Sequence, residues 1–225
     1  YEANDVYNRL LNYTNKVLFF PMDDFITSEV TDISPEFVID RLTTLNKLLG
    51  SGKYIVVTNL MGILRYLPNT KLYKNKIIDI NKDMDIDRDD FINKLFDLGY
   101  EKKPVVSRTG EMAIRGYVID IFPIEFDNPI RIEFWGDTID SIKYFDLEDQ
   151  ISNTSIDSVK IYPYTEFLID GKIEDNIIRK QKYLLNYSDS VSGLWDYVSD
   201  SVIFYYDYNQ IINSYSLLRE NILEY

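Results

Sequence analysis

Residues 99–145, GYEKKPVVSRTGEMAIRGYVIDIFPIEFDNPIRIEFWGDTIDSIKYF, carry the strongest pattern in the chain. Between residues 130 and 135, apolar side chains alternate strictly with polar or amphipathic ones. Because successive side chains of a β-strand point to opposite faces, this period of two predicts a strand with one buried face. The buried face would hold Ile130, Ile132 and Phe134, and the opposite face would hold Arg131, Glu133 and Trp135.

A tight turn is predicted directly after this strand. Gly136 and Asp137 separate it from a second strand-like run, residues 138–145, which is the spacing of a β-hairpin. Upstream, residues 111–122 are predicted to form one further strand that ends before a proline. Its alternation shifts near Gly116, where a residue without a Cβ allows a β-bulge. Together these segments predict a small antiparallel sheet.

One face of this sheet has an unusual composition. Soluble sheets normally turn Lys, Glu and Thr towards water, whereas this face would carry Arg131 and Trp135 on either side of Glu133. Arg and Trp are enriched among the residues that contribute most to binding energy at protein interfaces. Two interpretations follow. The face binds a partner, or Trp135 packs under a neighbouring domain while Arg131 pairs with Glu133 or Asp137.

The segments on both sides of the sheet alternate between helix-like and strand-like patterns. Short apolar strands are predicted at residues 17–20, 54–58, 77–80 and 202–206, and helices at 34–49, 87–98 and 211–223. A strand at 159–162 is predicted to complete the antiparallel sheet. Fully apolar strands between helices are typical of parallel sheets. The predicted fold class is therefore α/β, with a parallel-sheet domain (residues 1–104 and 169–225) interrupted by an inserted small antiparallel β-rich (α+β) domain (residues 105–168).

Composition excludes several function classes. The 225 residues include 24 basic and 37 acidic side chains, for a net charge of −13, and neither Cys nor His is present. Disulfides and thiolate or imidazole metal sites are therefore excluded, and we predict no metal site and a cytoplasmic location. No apolar run reaches the roughly 20 residues of a membrane span. Strong binding to duplex DNA is disfavoured, because it requires a basic stripe. Since the first residue is Tyr1, we expect an excised fragment.

A nucleotide site is also not predicted. ATP-binding loops of the common type end in Gly-Lys-Ser/Thr between a strand and a helix, so that backbone N–H groups hold the phosphates. The nearest match, Gly50-Ser51-Gly52-Lys53, precedes a strand instead. Asp207 follows the strand predicted at 202–206, and we interpret it as a helix cap rather than a metal ligand. We therefore expect no catalytic residue, cofactor or ATP binding in this chain.

Several residue groups in the central stretch also fit a family pattern. They are Glu111, Arg115-Gly116, Asp120 to Pro123, Arg131 to Phe134, Gly136-Asp137, Ile139 to Ile142 and Phe145-Asp146. Their order and spacing resemble E-x-x-x-RG-x-x-x-DIFP followed by RIEFFGD-x-I-x-SI-x-x-FD, a pattern shared by the bacterial transcription-repair coupling factors (Mfd) and the excision-repair subunit UvrB. The segments FFPMDDF, KYIVVTNLMGILRYLP and FINKLFDLGY are similar to the amino-terminal UvrB-like module of the coupling factors. The resemblance covers residues 17–170.

The resemblance implies a non-catalytic module whose insert recruits the excision-repair protein UvrA to RNA polymerase stalled on damaged DNA. Arg115, Arg131 and Trp135 match family positions implicated in that contact, and Glu133 and Asp137 are predicted to belong to the same UvrA-binding site. Trp135 stands where phenylalanine is usual. The flanking α/β domain would resemble a helicase domain with a degenerate nucleotide site. ATP, magnesium, the polymerase contact and a carboxy-terminal domain that masks the insert would belong to other parts of a full-length DNA translocase.

Two alternatives remain open at this stage. The chain could be a fragment of a UvrB-like ATP-dependent DNA helicase subunit, in which case Gly-Lys-Thr would stand upstream of Tyr1. It could also be a purely structural or autoinhibitory domain that packs against a motor and restrains it. The second alternative is compatible with UvrA binding, because the same surface could be masked until it is needed.

Overall fold

The computed structural model describes residues 2–22, 35–171, 183–198 and 200–223. Its helices are α1 Glu2–Leu11, α2 Pro35–Leu48, α3 Leu60–Ile63, α4 Thr70–Lys76, α5 Arg88–Asp97, α6 Leu184–Tyr187, α7 Leu194–Tyr197 and α8 Tyr208–Leu223. Its strands are β1 Val17–Phe20, β2 Ile55–Thr58, β3 Leu67–Pro68, β4 Ile78–Asn81, β5 Glu101–Lys102, β6 Glu111–Arg115, β7 Val118–Ile121, β8 Ile130–Trp135, β9 Thr138–Phe145, β10 Ser152–Ser155, β11 Ser158–Ile161 and β12 Val191–Ser192. The chain divides into two compact units, Tyr1–Leu67 with Ser192–Tyr225, and Pro68–Val191.

The first unit contains a short parallel sheet. Its two strands, β1 and β2, pair from Val17 opposite Ile55 to Phe20 opposite Thr58. Helix α2 connects to this sheet through side chains, since the hydroxyl of Thr44 donates to the carbonyl of Phe19 at 2.7 Å. The ring of Tyr7 in α1 stacks on Phe19 at a centroid distance of 4.9 Å. The predicted parallel sheet is thus present, but it is smaller than the sequence pattern suggests.

The strand predicted at residues 202–206 is wrong. These residues form no strand in the structure, and their side chains are exposed, with 80% of Val202 and 89% of Phe204 accessible. An apolar run becomes a strand only where a neighbouring edge satisfies its backbone N–H and C=O groups, and no described strand pairs with this one. The following helix, α8, is confirmed, and the Asp207 carboxylate caps it by accepting from the N–H of Gln210 at 3.2 Å.

The second unit is organised around a six-stranded sheet in the order β10-β9-β8-β7-β6-β5, in which only β5 and β6 run parallel. The predicted strands 130–135 and 138–145 are confirmed as β8 and β9. Gly136 and Asp137 form the two-residue turn between them, where Trp135 pairs with Thr138. Gly136 has φ of +63°, a backbone conformation that glycine adopts without steric cost.

The single strand predicted at residues 111–122 is wrong. The structure divides it into β6 and β7, joined by a two-residue turn at Gly116 and Tyr117. The shift in alternation near Gly116 is therefore the turn itself and not a bulge, and φ of +59° at Gly116 explains the glycine. The bulge lies in β9 instead, where Asp140 is passed over between the pairs Glu133–Ser141 and Phe134–Ile139.

One face of the six-stranded sheet carries the main hydrophobic core. Phe91 and Leu95 of α5 are fully buried with side chains of β7, β8 and β9, among them Ile119 and Ile132. Strand β11 contributes to the same core but pairs antiparallel with β4, so the prediction that residues 159–162 complete the six-stranded sheet is wrong.

Helix α5 and strand β4 therefore belong to the second unit, because their apolar side chains are buried in this core. The two compact units divide after residues 67 and 191, whereas the sequence-based prediction places the domain boundaries after residues 104 and 168, and these stay a prediction. The helix predicted at 87–98 is confirmed, and Asp87 caps it by accepting from the N–H of Asp90 at 2.7 Å.

Glu111, at the start of β6, holds the loop before it. Its buried carboxylate accepts hydrogen bonds from the N–H and hydroxyl of Ser107, both at 2.8 Å, and from the N–H and Nε of Arg108 at 3.2 Å. Burial by itself raises the pKa of Glu111, but these bonds to Ser107 and Arg108 outweigh it and leave the pKa below its usual value. The ionised form is therefore the one that the fold stabilises.

We expect the Glu111→Gln variant to be less stable than the wild type at pH 7 and to approach it in acid. A carboxyl whose pKa is lower in the folded state stabilises the fold above its unfolded pKa, and this contribution is lost as pH falls through the folded pKa. The measurement is the melting temperature of both proteins between pH 7 and pH 3. The matched control is Glu101→Gln, which removes an exposed pair with Lys103. If the difference in melting temperature between the wild type and Glu111→Gln stays constant from pH 7 to pH 3, ionised Glu111 does not stabilise the fold.

Candidate protein-interaction surface

The strand register places a set of charged side chains on the sheet face opposite the main core. Asp120 of β7 lies directly between Ala113 and Arg131, and Val118 lies between Arg115 and Glu133. Because residues two apart on a strand share a face, these rows lie side by side. On β9, Lys143 continues the first row and Ser141 the second. We call this surface, defined by Arg115, Asp120, Arg131, Glu133 and Lys143, the arginine face.

The arginine face is partly covered at one end. Val106, Ala113, Phe122 and Phe145 form a small buried cluster there. The uncovered part holds a shallow depression of about 270 Å³, lined by Arg115, Val118, Arg131, Glu133 and Gln150. Three of the five predicted site residues, Arg115, Arg131 and Glu133, therefore meet at one depression.

Asp120 is the centre of the charge network on this face. It is buried, and its carboxylate accepts from Arg131 twice, at 2.7 Å from Nε and 3.0 Å from a terminal nitrogen. A terminal nitrogen of Arg115 bonds to the same carboxylate. The suggestion that Arg131 pairs with Glu133 or Asp137 is wrong, because the register brings Asp120 directly opposite Arg131. The hydrogen bonds that Arg131 donates to Asp120 hold the pKa of its guanidinium above the usual value.

Glu133 has its own partners on β9. Its carboxylate accepts from the ammonium of Lys143 at 2.7 Å and from the hydroxyl of Ser141. These hydrogen bonds, Lys143 first, lower the pKa of Glu133. Glu133 is thus ionised and paired within the sheet, and it forms the wall of the depression beside Arg131.

Trp135 lies at the uncovered end of the sheet. It continues the alternation of β8, and 83% of its surface is exposed, so it does not pack under a neighbouring element of the described structure. Tyr117, in the turn between β6 and β7, is 63% exposed, and its carbonyl accepts from the N–H of Phe134 at 2.9 Å. Two exposed aromatic residues therefore lie at the same end of the sheet.

Tyr117 and Asp120 were not among the site residues predicted from the sequence, although Asp120 belongs to the family pattern. The Arg115-Gly116-Tyr117 turn was hidden inside what resembled one strand, and a turn tyrosine gives no signal until the hairpin is known. Arg115 and Arg131 do not lie on neighbouring strands, since β7 separates β6 from β8. At about 5 Å between strands, their backbones are about 10 Å apart.

Asp137 faces a second, separate depression. This depression has a volume of about 220 Å³ and is lined by Asp87, Arg88, Asp89, Tyr117, Gly136 and Asp137. The guanidinium of Arg88 lies 5.9 Å from the ring centroid of Tyr117, within the range of a cation–π contact. Asp137 is exposed and its carbonyl accepts from the N–H of Ile86 at 2.8 Å. Of the five predicted site residues, it is the one that the structure does not bring to the arginine face.

The part of the chain that the structure describes has neither a metal-binding cluster nor a membrane-spanning helix. Within the described ranges, no group of three or more acidic side chains is arranged to hold a metal ion. Among the same residues, no helix has both the length and the apolar character that crossing a bilayer requires. The expectation that the chain uses no cofactor stays a prediction.

Comparison with known proteins identifies the second unit more closely. Residues 78–167 match the family described as "UvrB interaction domain". This match begins at β4 and contains α5, the six-stranded sheet and the arginine face. The matched residues therefore include the arginine face and the residues that line both depressions.

Individual relatives extend the match beyond this domain. A transcription-repair-coupling factor of Staphylococcus epidermidis is 32% identical over 190 residues, which is 84% of this chain and 16% of that protein. A namesake from Staphylococcus haemolyticus is 35% identical over 175 residues, 77% of this chain and 15% of that protein. The one from Bacillus subtilis is 36% identical over 171 residues, 75% of this chain and 14% of that protein. The chain thus spans about a sixth of the length of the curated relatives it matches, and over that span it belongs to the transcription-repair-coupling factor family, with a UvrB interaction domain at residues 78–167.

Proposed function

We propose that this chain is a non-catalytic protein-interaction module of a transcription-repair coupling factor and that its arginine face recruits UvrA. The observation that carries the proposal is the position of Trp135. It is 83% exposed on the uncovered end of a UvrB interaction domain, on the same face as Arg115, Arg131 and Glu133. A large aromatic side chain costs hydrophobic free energy when it is left in water, so such exposure favours a binding role.

Charge on the arginine face supports an acidic partner surface. Three cations, Arg115, Arg131 and Lys143, face two carboxylates, Asp120 and Glu133, which leaves a local charge of 3 − 2 = +1. The whole chain carries −13. A small positive area on a strongly negative chain selects a carboxylate at a defined place, while the overall charge repels nucleic acid phosphates.

The remaining parts of the proposal concern the full-length protein. The relatives' shared name refers to coupling of transcription and repair, and we propose the same role here, with UvrA brought to RNA polymerase that has stalled on damaged DNA. The first unit would correspond to a helicase-type domain without a working nucleotide site. ATP, magnesium, the translocase activity and the contact with the polymerase would all lie in other parts of the longer protein.

Direct titration with UvrA tests the proposal. We expect the 225-residue chain to bind UvrA from the same organism saturably in calorimetry, and Arg115→Glu to weaken that binding at least tenfold by reversing an exposed charge at the depression. The matched control is Lys160→Glu, which reverses an exposed charge on β11 outside the arginine face and should change the affinity less than twofold. Absence of saturable binding up to about 0.1 mM UvrA, or equal effects of the two reversals, would refute the proposal.

A further inference from the structure

The two arginines of the arginine face differ in how much of each is available to a partner. The side chain of Arg131 is 15% exposed, whereas that of Arg115 is 46% exposed. Both are bonded to Asp120, whose own side chain is 1% exposed. One buried carboxylate thus connects a largely buried guanidinium to a half-exposed one.

Arg131 directs its hydrogen bonds into the protein. Two of its nitrogens donate to Asp120, and the third donates to the carbonyl of Gln150 at 3.1 Å and to the hydroxyl of Ser152 at 3.4 Å. Its guanidinium also lies 4.6 Å from the ring centroid of Phe145, at cation–π distance. Every nitrogen of Arg131 is therefore engaged with neighbouring strands, which makes it a support for Asp120.

Arg115 is held in a different way. A single terminal nitrogen donates to Asp120, and the other N–H groups of this guanidinium have no partner among the described residues. An arginine side chain that is free in solution loses much rotamer entropy when it binds, and fixing one edge of the guanidinium before binding lowers that cost. The remaining donors of a planar guanidinium then have a defined direction.

We propose that Asp120 is a positioning residue, which fixes Arg115 at the edge of the depression so that its outward N–H groups meet one carboxylate of the partner. Arg131 pairs with Asp120 and orients it, and does not itself supply the outward donors. The inference rests on the proposed function, since the carboxylate is taken to belong to UvrA. Asp120 would thus affect the affinity for UvrA without contacting UvrA, because it positions Arg115.

A double-mutant cycle separates positioning from support of the fold. The variant Asp120→Asn/Arg131→Gln neutralises the buried pair on both sides, so that neither charge of the pair is left without the other, and we expect the fold to be retained. Arg115→Ala is then made in the wild type and in this variant, and UvrA affinity and melting temperature are measured for all four proteins. Asp79→Asn, which removes an exposed carboxylate paired with Lys160 on the other sheet of the unit, is the control.

We expect Arg115→Ala to weaken UvrA binding about tenfold in the wild type and less than twofold in Asp120→Asn/Arg131→Gln, because Arg115 has lost its position there. A tenfold loss in both backgrounds, or wild-type affinity in Asp120→Asn/Arg131→Gln, would overturn the inference while leaving the proposed function intact. If the wild type itself does not bind UvrA, the proposed function fails, and the inference fails with it.

A measurement on the wild-type chain keeps the inference testable if the double variant does not fold. Hydrogen bonding to Asp120 should restrict rotation of the Arg115 guanidinium, so that its terminal N–H groups give separate nitrogen-15 NMR resonances. The exposed Arg219 of α8, with free rotation, should give averaged ones. Averaged resonances for Arg115 would overturn the inference without any variant.

Discussion

Replacing Trp135 with alanine should weaken UvrA binding about thirtyfold or more, which corresponds to about 2 kcal/mol, the size expected of a central interface residue. The indole is 83% exposed in the unbound chain, so its truncation removes few contacts within the fold. We therefore expect the free energy of unfolding to change by less than about 0.5 kcal/mol. Calorimetric titration with UvrA and chemical denaturation of the same two proteins provide both quantities.

Two further variants sharpen this prediction. Trp135→Phe should keep most of the affinity, because the resemblance to the family pattern has phenylalanine at this position. The chain has two tryptophans, and Trp195→Ala on α7 removes the other one, which is not a residue of the arginine face. A Trp135→Ala protein that melts much earlier but binds normally would show that the indole supports the fold and does not form a contact.

Replacing Arg131 with alanine should mainly reduce stability, in contrast to Trp135→Ala. We expect a loss of about 3–5 kcal/mol in the free energy of unfolding. This loss follows because Asp120 is fully buried and would keep only the half-exposed Arg115 as a partner. The bonds from Arg131 to Gln150 and Ser152 would also disappear. Urea denaturation followed by circular dichroism measures the effect.

Arg115→Ala is the matched control for Arg131→Ala. It removes a guanidinium from the same carboxylate, but an exposed one, so we expect a loss of about 1 kcal/mol or less. Both variants could lose the same amount of stability. It would then be wrong that Arg131 supports the fold while Arg115 offers its N–H groups to the partner. The sequence-based prediction that Arg131 itself contacts the partner stays a prediction. In the structure Arg131 also binds the buried carboxylate of Asp120, which the alternating pattern does not reveal.

The central hairpin was predictable because the alternation within one strand shows which of its side chains are buried and which are exposed. Alternation from Ile130 to Trp135 is a local property, and the structure confirms both the buried and the open sides. The partner of Arg131 was not predictable in the same way. It depends on which residue of β7 lies opposite Arg131, and periodicity predicts the face of a side chain but not the residue that it pairs with on the next strand. The Gly116-Tyr117 turn, which sets the pairing of β6 with β7, was not separated from a bulge by periodicity either.

The error at residues 202–206 has a related cause. Valine, isoleucine and aromatic residues in a row favour a strand, but the hydrogen bonds that make one come from another part of the chain. Helix α5 also depends on a distant part of the chain for its packing partner. Its apolar stripe was clear, but Phe91 and Leu95 fit against the six-stranded sheet, which an amphipathic pattern does not specify.

The exposure of Trp135 also gives the chain an optical reporter. Indole emission moves to shorter wavelengths and becomes harder to quench with iodide when the ring leaves water. Because Trp195 is the single other tryptophan, a chain with phenylalanine at residue 195 would emit from the hairpin tip alone. Its spectrum would then report whether the arginine face is covered, by UvrA in a purified mixture or by the rest of the protein in the intact factor, without any attached dye.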